Sequence, residues 1–511
     1  MAHPWNPMTF IDRGVSDVVV IGAGIAGVKT AIELTKSGIS NVILEARDRC
    51  GGRLYTEKLK SGVDADLGAS WFHDCLDNPM LKKYFESGKI KFNFDDGRFS
   101  YFNENGLIDD NEKLKPIANE IKLYLASLYD KLTPNEDISV KEAVYRYIKE
   151  KRYLLTDYQV KYIPQLIRYF EMWIGSSWEI LSGRSISADA HKGRDAMVLN
   201  GYQTVFNCEL QELKDAKGKD NISAFIKLKR IVYKISWNEK SQLIEVYSKY
   251  ANITEVYKSK YIVVTVPLSV LKLSSGEEGS IEWVPPLPAS FTNSISNVSF
   301  SNLGKVFFEF PKCFWNLEDD RLLSMAKVEE EYYEACRYDK EDLCTYKFLK
   351  CRQDVPIREN EVPNGLDYTV LFMNLAKPTQ KPIILALTSS PLTQYIEQAS
   401  SNIIFEVFKP VFARIAGLPE SSIPQPIEVK TSKWSNDPFA RGSYTGVTIG
   451  DSYEPFLEEV LNPNKIFDGR GRVRFAGEGT IDDGNGCAHA AWNTGLREAE
   501  IIKRMINRAK L

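Results

Sequence analysis

The sequence has no C-x-x-C pair, although it contains eight cysteines. Closely spaced thiol pairs are typical of zinc sites, and dense cysteines in a short chain are typical of disulfide frameworks. Neither pattern is present, so we expect no metal site and no disulfide scaffold. Reduced thiols in an intracellular compartment fit this cysteine usage best.

Long apolar runs are missing as well. No uninterrupted apolar stretch of about 18 residues occurs, and the opening segment, MAHPWNPMTFIDRG, lacks the basic and then apolar order of a signal peptide. We therefore expect a soluble, unsecreted protein with no membrane partner.

An excess of charge of either sign is also absent. The 65 basic and 68 acidic residues give a formal charge of −3, so nucleic acid is not an expected partner. The chain does have size and apolar content, with 511 residues of which 43% are hydrophobic and 12% aromatic. A globular protein of two or more domains is expected.

The chain closes with Ala509, Lys510 and Leu511, a small-basic-leucine tripeptide close to the S-K-L peroxisomal address. We expect a peroxisomal protein that engages the peroxisomal import receptor. The cytoplasm is the alternative, because so short a motif also arises by chance.

A glycine fingerprint follows the first strand pattern. The β-branched run DVVVI at 17–21 leads into Gly22, Gly24 and Gly27, and helical spacing continues to Gly38. Gly22 allows a tight turn, Gly24 lets a pyrophosphate approach the backbone, and Gly27 lets helix and strand pack closely. The helix N-terminus then offers amide donors to phosphate groups.

A second strand pattern, VILE at 42–45, ends on Glu45, 18 residues after Gly27. A ribose-binding carboxylate belongs at this place in a dinucleotide-binding βαβ unit. A solvated surface acid is the alternative, and the position at the end of a strand disfavours it.

The rest of the chain alternates between helical and strand patterns. Residues 110–180 show helical spacing and almost no glycine, which predicts an inserted helical region. Strand patterns follow at 226–264, 304–310, 369–387 and 472–477, and a glycine turn opens a long helix at 484–506. The predicted fold is α/β and α+β, with a Rossmann-like domain interleaved with a domain of mixed sheet and helices.

Several segments resemble the flavin-containing amine oxidase family. They are EARDRCGGR at 45–53, DLGASW at 66–71, TVPLSVL at 265–271, LGKVFFEF at 303–310, WSNDPFARGSY at 434–444, and RFAGEGT with GNGCAHAAWNTGLREA at 474–499. Within that family the chain looks most like the fungal polyamine oxidases. The segments that carry this closer resemblance are GASWFHD at 68–74, FDDGRFSYF at 94–102, GRDAMVLNGY at 193–202 and GCAHAAW at 486–492.

The resemblance implies a glutathione-reductase-like FAD-binding domain in three segments, 14–95, 201–280 and 441–511. It implies a substrate domain in two segments, the helical 96–200 and the sheet 281–440. The cofactor is expected to be noncovalent, because Ser443 stands where covalently flavinylated monoamine oxidases have a cysteine. Many relatives have histidine where this chain has Gly479, a departure that concerns the flavin contact of Glu478.

The residues expected to bind FAD by this resemblance are Gly22, Gly24, Ala26, Gly27, Glu45, Ala46, Arg47, Gly52, Arg53, Gly68, Ala69, Ser70, Trp71, Val232, Trp434, Glu478, Cys487 and Ala488. The helix after Gly486 would direct its positive end at the flavin. Arg47 and Arg53 would fold back over the pyrophosphate.

Seven residues are expected at the reaction centre. The candidate catalytic residues are His73, Lys305 and Asn200, and the candidate substrate-binding residues are Asp96, Trp173, His191 and Tyr444. In the family a lysine at the position of Lys305 holds a water near the flavin and assists reoxidation; a solvated strand end is the alternative. Asp95, Glu171 and Asp482 or Asp483 lie in segments similar to those that line the substrate tunnel.

The resemblance implies hydride transfer to flavin N5 from the carbon beside a secondary amine, then imine hydrolysis and release of hydrogen peroxide. Spermine and N-acetylated polyamines are the expected substrates, and dioxygen the expected acceptor, giving spermidine or putrescine and an aminoaldehyde. Three alternatives stay open. They are a fungal corticosteroid-binding flavoprotein, a histone-lysine demethylase, which would need a long heptad insertion, and an amino-acid oxidase, which would need an arginine clamp for a carboxylate.

Overall fold

A computed structural model describes residues 9–109, 112–133, 136–188, 192–328, 330, 333–334 and 351–509. The strands are β1 Thr9–Ile21, β2 Asn41–Leu44, β3 Thr56–Lys58, β4 Asp64–Asp66, β5 Trp71–Phe72, β6 Phe92–Phe94, β7 Arg98–Asn103, β8 Gly106–Leu107, β9 Ala196–Val198, β10 Ile226–Lys227, β11 Ile231–Asn238, β12 Leu243–Tyr250, β13 Ile253–Val264, β14 Glu282–Val284, β15 Phe300–Ser301, β16 Gly304–Glu309, β17 Asp319–Ser324, β18 Val370–Asn374, β19 Ile383–Thr388, β20 Glu428–Thr431, β21 Tyr444–Thr445 and β22 Val473–Phe475.

The α-helices are α1 Ile25–Lys36, α2 Pro79–Glu86, α3 Lys115–Tyr129, α4 Val140–Glu150, α5 Asp157–Ile167, α6 Glu171–Ile174, α7 Gly183–Ala188, α8 Tyr202–Lys217, α9 Leu268–Leu271, α10 Ala289–Ser296, α11 Ala376–Thr379, α12 Leu392–Gln398, α13 Ser401–Ala416, α14 Glu454–Leu461 and α15 Ala488–Arg508. Short 3-10 turns lie at Arg152–Leu154, Arg168–Phe170, Ile222–Ala224, Arg352–Asp354, Gly365–Asp367, Glu420–Ser422 and Glu478–Thr480. In the part of the chain that the structure describes, no helix combines the length and the apolarity needed to cross a bilayer.

An eight-stranded sheet carries the glycine fingerprint. Its strand order is β10-β2-β1-β13-β12-β11-β14, with β22 also paired to β13. The strands β10, β2, β1, β13 and β22 run parallel to one another. β12 is antiparallel to both β13 and β11, and β14 is parallel to β11. Val18, Val19 and Val20 are fully buried, because β-branched residues fill both faces of a covered parallel sheet. The predicted strand–turn–helix unit is confirmed by β1, α1 and β2.

A seven-stranded sheet forms the second layer, in the order β20-β16-β19-β18-β17-β7-β8. Every residue of β16, β18 and β19 is buried. One face packs on the phenylalanines of α13, including Phe408 and Phe412, and the other packs on the helical region. The face that packs on helices α3 to α7 is called the inner face below.

Helices α3 to α7 occupy most of residues 115–188, where helical spacing predicts them. A three-stranded sheet, β5-β9-β6, joins this region to the first sheet. The mixed α/β fold class is confirmed. The predicted domain boundaries stay predictions, and sheet membership extends the first sheet from Thr9 through Glu282–Val284, beyond the predicted limits at 14 and 280.

Candidate active site

The described residues surround a cavity of about 1190 Å³ that runs from the glycine turn after β1 to the inner face of the second sheet. Every predicted cofactor residue except Gly27 lines it. The predicted reaction-centre residues His73, Lys305, Asp96, Trp173 and Tyr444 line the same cavity. The structure therefore brings five of the seven predicted reaction-centre residues into one space with the predicted cofactor residues.

The glycine turn requires glycine at two positions, because neighbouring atoms leave no room there for a Cβ. Gly22 has φ of +108°, and a Cβ there would lie 2.4 Å from Thr265 Oγ1. A Cβ on Gly27 would lie 2.0 Å from the carbonyl oxygen of Gly22. Gly27 thus has a packing role beneath the cavity wall, while the first-turn amides of α1, which no side chain caps, supply phosphate donors.

Glu45 lies directly after β2 and is only 4% exposed. Its Oε2 accepts from the amide of Ala23 at 2.7 Å, and its Oε1 accepts from the amide of Arg47 at 2.8 Å. Burial raises the pKa of this carboxyl, and the two amide donors oppose that shift. Backbone contacts therefore hold Glu45 at the strand end, the place of a ribose ligand in a βαβ unit.

The two arginines expected over the pyrophosphate are already paired. Arg47 Nη2 lies 2.8 Å from Asp437 Oδ1, and Arg53 Nη1 lies 2.9 Å from Glu478 Oε1. Glu478 is 6% exposed. Both guanidinium groups are held in place by these carboxylates, and the uncapped amides of the glycine turn add further donors for phosphate.

A second helix N-terminus faces the cavity at α15. Cys487 is its N-cap residue and caps no amide with its side chain, and Cys487 and Ala488 both line the cavity. This helix of 21 residues directs its positive end at the same space. The arrangement suits an anionic ring, as expected for a reduced flavin.

Gly479 explains one departure from the family pattern. A Cβ there would lie 2.5 Å from Thr445 Oγ1 and 2.7 Å from Leu268 Cδ1. A histidine cannot occupy this position without moving both neighbours. Ser443, in turn, is engaged with backbone, since its Oγ donates to Ser301 O at 2.9 Å and accepts from the amide of Leu303 at 3.0 Å.

Lys305 is buried at the head of β16, with 5% of its surface exposed. Its Nζ donates to Gly68 O and Ser70 Oγ, and to Asp66 O at 3.3 Å. The ammonium lies 4.9 Å from the centre of the Trp71 ring. This buried, hydrogen-bonded site is unlike the solvated strand end that was the alternative.

Asp66 is an acid that the sequence interpretation did not single out as functional. It is 3% exposed and accepts from the amide of Tyr202 at 2.9 Å. Burial raises the pKa of Asp66 and lowers the pKa of Lys305, while their mutual attraction opposes both shifts. The sequence does contain a signal for this acid, because in DLGASW it lies two residues before the predicted flavin-contact turn that begins at Gly68.

Aromatic rings form the walls near Lys305. Trp71 and Trp173 meet edge to face, with ring centroids 6.2 Å apart. Tyr444 donates its hydroxyl hydrogen to the Trp173 carbonyl oxygen, and Trp434 Nε1 donates to Leu67 O at 2.6 Å. Such walls suit the flat ring of a cofactor and the methylene chain of an amine.

His73 lines the cavity beside Trp71, with ring centroids 6.4 Å apart. Its Nδ1 lies 3.0 Å from Asp195 Oδ2. Asp195 was not among the predicted site residues, although it belongs to the quoted GRDAMVLNGY segment. The pairing of β5 with β9 brings the two together, which no local pattern shows.

Not every predicted residue reaches the cavity. Asn200 does not line it, because its side chain donates to Lys89 O and accepts from the amide of Lys91, both at 2.9 Å. The structure gives Asn200 a loop-bracing contact in place of the predicted catalytic position. Asp96 lines the cavity at an exposed point 3.4 Å from Arg194. His191 lies outside the described residues.

Four other acids belong to segments expected to line the substrate tunnel, and their surroundings differ. Asp482 and Asp483 line the cavity, and Asp483 is 73% exposed. Glu171 is fully buried and lies 3.0 Å from Arg168, away from the cavity lining. Asp95 is paired with an arginine, as described below. Among the described residues no group of three or more potential ligand side chains could hold a metal ion.

A dinucleotide cradle that opens into an aromatic cavity with a buried lysine defines the class of flavin-dependent oxidoreductases. The chain belongs to the flavin containing amine oxidoreductase family, whose model matches residues 25–503. The cofactor of this family is FAD, and the glycine turn, Glu45 and the two helix N-termini fit it. The enzyme class is therefore amine oxidase.

Three comparisons show the range of similarity. A corticosteroid-binding protein of Candida albicans is 29% identical over 96% of this chain and 96% of its own length. Polyamine oxidase 2 of Arabidopsis thaliana is 25% identical, covering 94% of this chain and 87% of its own. The structure of a putrescine oxidase bound to putrescine matches with a TM-score of 0.62 at 16% identity, covering 96% of this chain and 99% of that one.

Proposed function

We propose that the protein is an FAD-dependent polyamine oxidase acting on the carbon beside a secondary amine of spermine or an N-acetylpolyamine. The observation that carries this proposal is buried Lys305 at the junction of the dinucleotide cradle and the aromatic cavity. Bound FAD would accept two electrons from the substrate and pass them to dioxygen, forming hydrogen peroxide. The products would be spermidine or putrescine and an aminoaldehyde.

The side chains of the cavity would position the amine. Trp71, Trp173 and Tyr444 would confine the methylene chain between rings. Asp195 would accept from His73 Nδ1 and leave Nε2 as the acceptor for an amine proton. Lys305 Nζ would hold a proton close to the point where oxygen is reduced.

Anaerobic mixing with amines tests this proposal. Spermine, spermidine, N-acetylspermine and a monoamine are each added to the yellow holoenzyme, and loss of flavin absorbance and the products are measured. We expect rapid bleaching by spermine or N-acetylspermine and slow bleaching by the monoamine. Bleaching no faster than in buffer would contradict the polyamine assignment.

Steroid binding is the second candidate function. It is favoured by the similarity to the Candida albicans corticosteroid-binding protein over nearly the whole chain, and an aromatic cavity of about 1190 Å³ has room for a steroid. The buried, hydrogen-bonded Lys305 favours catalysis. Titration with corticosterone, in parallel with the amines, separates the two: saturable steroid binding without amine-dependent peroxide would favour the second candidate.

We further propose peroxisomal localisation through Ala509, Lys510 and Leu511, since a peroxide-forming enzyme suits that compartment. Lys510 and Leu511 lie outside the described residues. The test compares a fluorescent protein fused to the N-terminus of the full chain with the same fusion lacking the last three residues. Punctate signal only with the intact end supports the proposal, and diffuse signal from both contradicts it.

A further inference from the structure

One cavity residue has no part in the proposed reaction. Arg321, on β17, lines the cavity with its side chain 16% exposed. It lies on the inner face of the second sheet, the face that also carries Lys305. A cation at this place is unexpected in a cavity that is proposed to bind a polycation, because like charges repel across a partly desolvated space.

Strand register shows that Arg321 and Lys305 share a face. Lys305 pairs with Leu387, Leu387 with Leu371, and Leu371 with Leu323. Residues directly opposite each other in a sheet point to the same side, and so do residues two apart along a strand. Arg321 is two residues from Leu323. Three strand spacings and two residues place the Arg321 Cα about 16 Å from that of Lys305.

Side-chain contacts trace the same path. The Lys305 ammonium lies 4.9 Å from the Trp71 ring centre, Trp71 lies 6.2 Å from Trp173, and the Arg321 guanidinium lies 5.1 Å from the Trp173 ring centre. Lys305 therefore marks one end of an aromatic wall and Arg321 the other. A polyamine-sized chain can span this distance.

The ion pair with Arg321 also prevents Asp95 from binding a substrate ammonium. Arg321 Nη2 donates to Asp95 Oδ1 at 3.0 Å and Nε donates to Oδ2 at 3.3 Å. Asp95 is 5% exposed, so its charge is neutralised and covered. The acid that the sequence suggested for a substrate ammonium is thus occupied by a side chain of the protein.

The paired guanidinium still has donors to offer. Nη1 makes no hydrogen bond to any residue that the structure describes, and Asp95 holds the opposite edge of the group in place. A fixed, charged N–H donor favours a carbonyl or carboxylate oxygen over an ammonium. The end of the cavity at Arg321 therefore suits an oxygen acceptor.

We propose that Arg321 is a specificity-determining residue that selects amine substrates with an acceptor oxygen, acyl carbonyl or carboxylate, at the end remote from the oxidised carbon. This inference rests on the proposed amine oxidation for its substrate scaffold. Spermine, with an ammonium at both ends, is then the poorer ligand, and its acylated or carboxylated counterparts are the better ones.

Calorimetric titration of the holoenzyme, with its flavin reduced beforehand under anaerobic conditions so that no ligand is oxidised, tests the inference with three matched ligands. They are spermine, N-acetylspermine, and a spermine analogue in which a carboxylate replaces one terminal ammonium. We expect both oxygen-bearing ligands, or one of them, to bind at least about 10-fold more tightly than spermine. Tighter binding of N-acetylspermine identifies an acyl group, and tighter, salt-sensitive binding of the analogue identifies a carboxylate.

The test variant is the double substitution Arg321→Met with Asp95→Asn. Removing Arg321 alone would leave Asp95 buried and unpaired, with loss of folding as a risk. The double variant should lose the preference for oxygen-bearing ligands, while spermine binding is unchanged or tighter. Arg470→Met, at a side chain that is 69% exposed, is the matched control and should keep the wild-type preference.

Two outcomes would overturn the inference: wild-type protein that binds spermine as tightly as both other ligands, or a folded double variant with an unchanged preference. Failure of the proposed function is a separate result. If no amine bleaches the flavin, amine oxidation is wrong, whereas the titration still decides whether Arg321 recognises oxygen.

Discussion

His73 and Lys305 both lie beside the aromatic wall, but their surroundings differ. His73 is partly exposed and faces Asp195, with 26% of its side chain accessible, while Lys305 is buried and bonded to the turn at Gly68 and Ser70. A partly exposed imidazole can contact a substrate in the cavity, whereas the buried ammonium is bound to fixed acceptors. We therefore assign amine handling to His73 and oxygen-side chemistry to Lys305.

His73→Gln is expected to retain FAD and to slow flavin reduction by the preferred polyamine about 10-fold or more. Glutamine keeps the size and a hydrogen-bonding end but cannot take a proton at neutral pH. Stopped-flow absorbance under anaerobic conditions measures the rate. An unchanged rate would return His73 to a structural role.

Lys305→Met is expected to leave reduction by amine within a few-fold of wild type and to slow reoxidation by dioxygen about 100-fold. Methionine preserves the apolar stem and removes the charge. Mixing reduced enzyme with oxygenated buffer measures this step. Slowed reduction with normal reoxidation would contradict the assignment. The exposed Lys465→Met, 64% accessible, serves as the control.

At the scale of elements, a buried charge cluster joins the helical region to the second sheet. Arg168 Nη1 lies 3.0 Å from Glu171 Oε1, Arg168 Nη2 lies 2.7 Å from Asp354 Oδ1, and Gln353 and Ser389 donate to the other oxygen of Glu171. One buried cation thus faces two buried carboxyl groups, and burial favours the protonated form of Glu171. The cluster holds α6 against the segment at 352–354 and the residue after β19.

The cluster predicts a pH-dependent component of stability. Burial raises the pKa of Glu171 from 4.5 to about 7. A raised folded-state pKa means that this stability is fully present below pH 4.5 and is lost as pH rises through 7. The loss should be about 3 kcal/mol. Glu171→Gln removes the titration.

The unfolding midpoint of Glu171→Gln, compared with that of wild type from pH 4.5 to 8, should change less on this account. Identical profiles for the two proteins would contradict the prediction. Glu458→Gln, an exposed acid on α14, is the matched control and should follow the wild-type profile.

Local patterns predicted the elements well and the site only in part. Gly22, Gly27 and Glu45 belong to one continuous βαβ unit, whose spacing alone sets their arrangement. Asp195 and Arg321 could not be predicted, because pairing between strands far apart in sequence brings them to the cavity. Asn200 shows the converse: it lies in a family-like segment, but its side chain direction is set by the backbone at 89–91.

At the scale of the whole molecule, one cavity is bordered by both large sheets and the helical region. A ligand that fills it contacts every layer of the structure, and a ligand that binds only the folded chain stabilises it. FAD should therefore contribute to global stability and not only to chemistry.

Removal of FAD is expected to lower the thermal unfolding midpoint, and added FAD should restore it. At a concentration 100-fold above Kd, the cofactor should add about 2.7 kcal/mol to the free energy of unfolding. Scanning calorimetry of depleted and reconstituted protein measures the change. Riboflavin, which lacks the groups that meet the glycine turn and Glu45, is the control; equal stabilisation by riboflavin would contradict the predicted cradle.

The order of the strands in the first sheet also affects biosynthesis. β22 and α15 come from residues 473–508, yet they pack beside β13 and α1, near the start of the cradle. Synthesis proceeds from the N-terminus at about 5–20 residues per second, so the cradle stays incomplete until residues 473–508 have been made. A prematurely terminated chain would therefore be released without a complete cofactor site, as an inert product and not as a partly active oxidase.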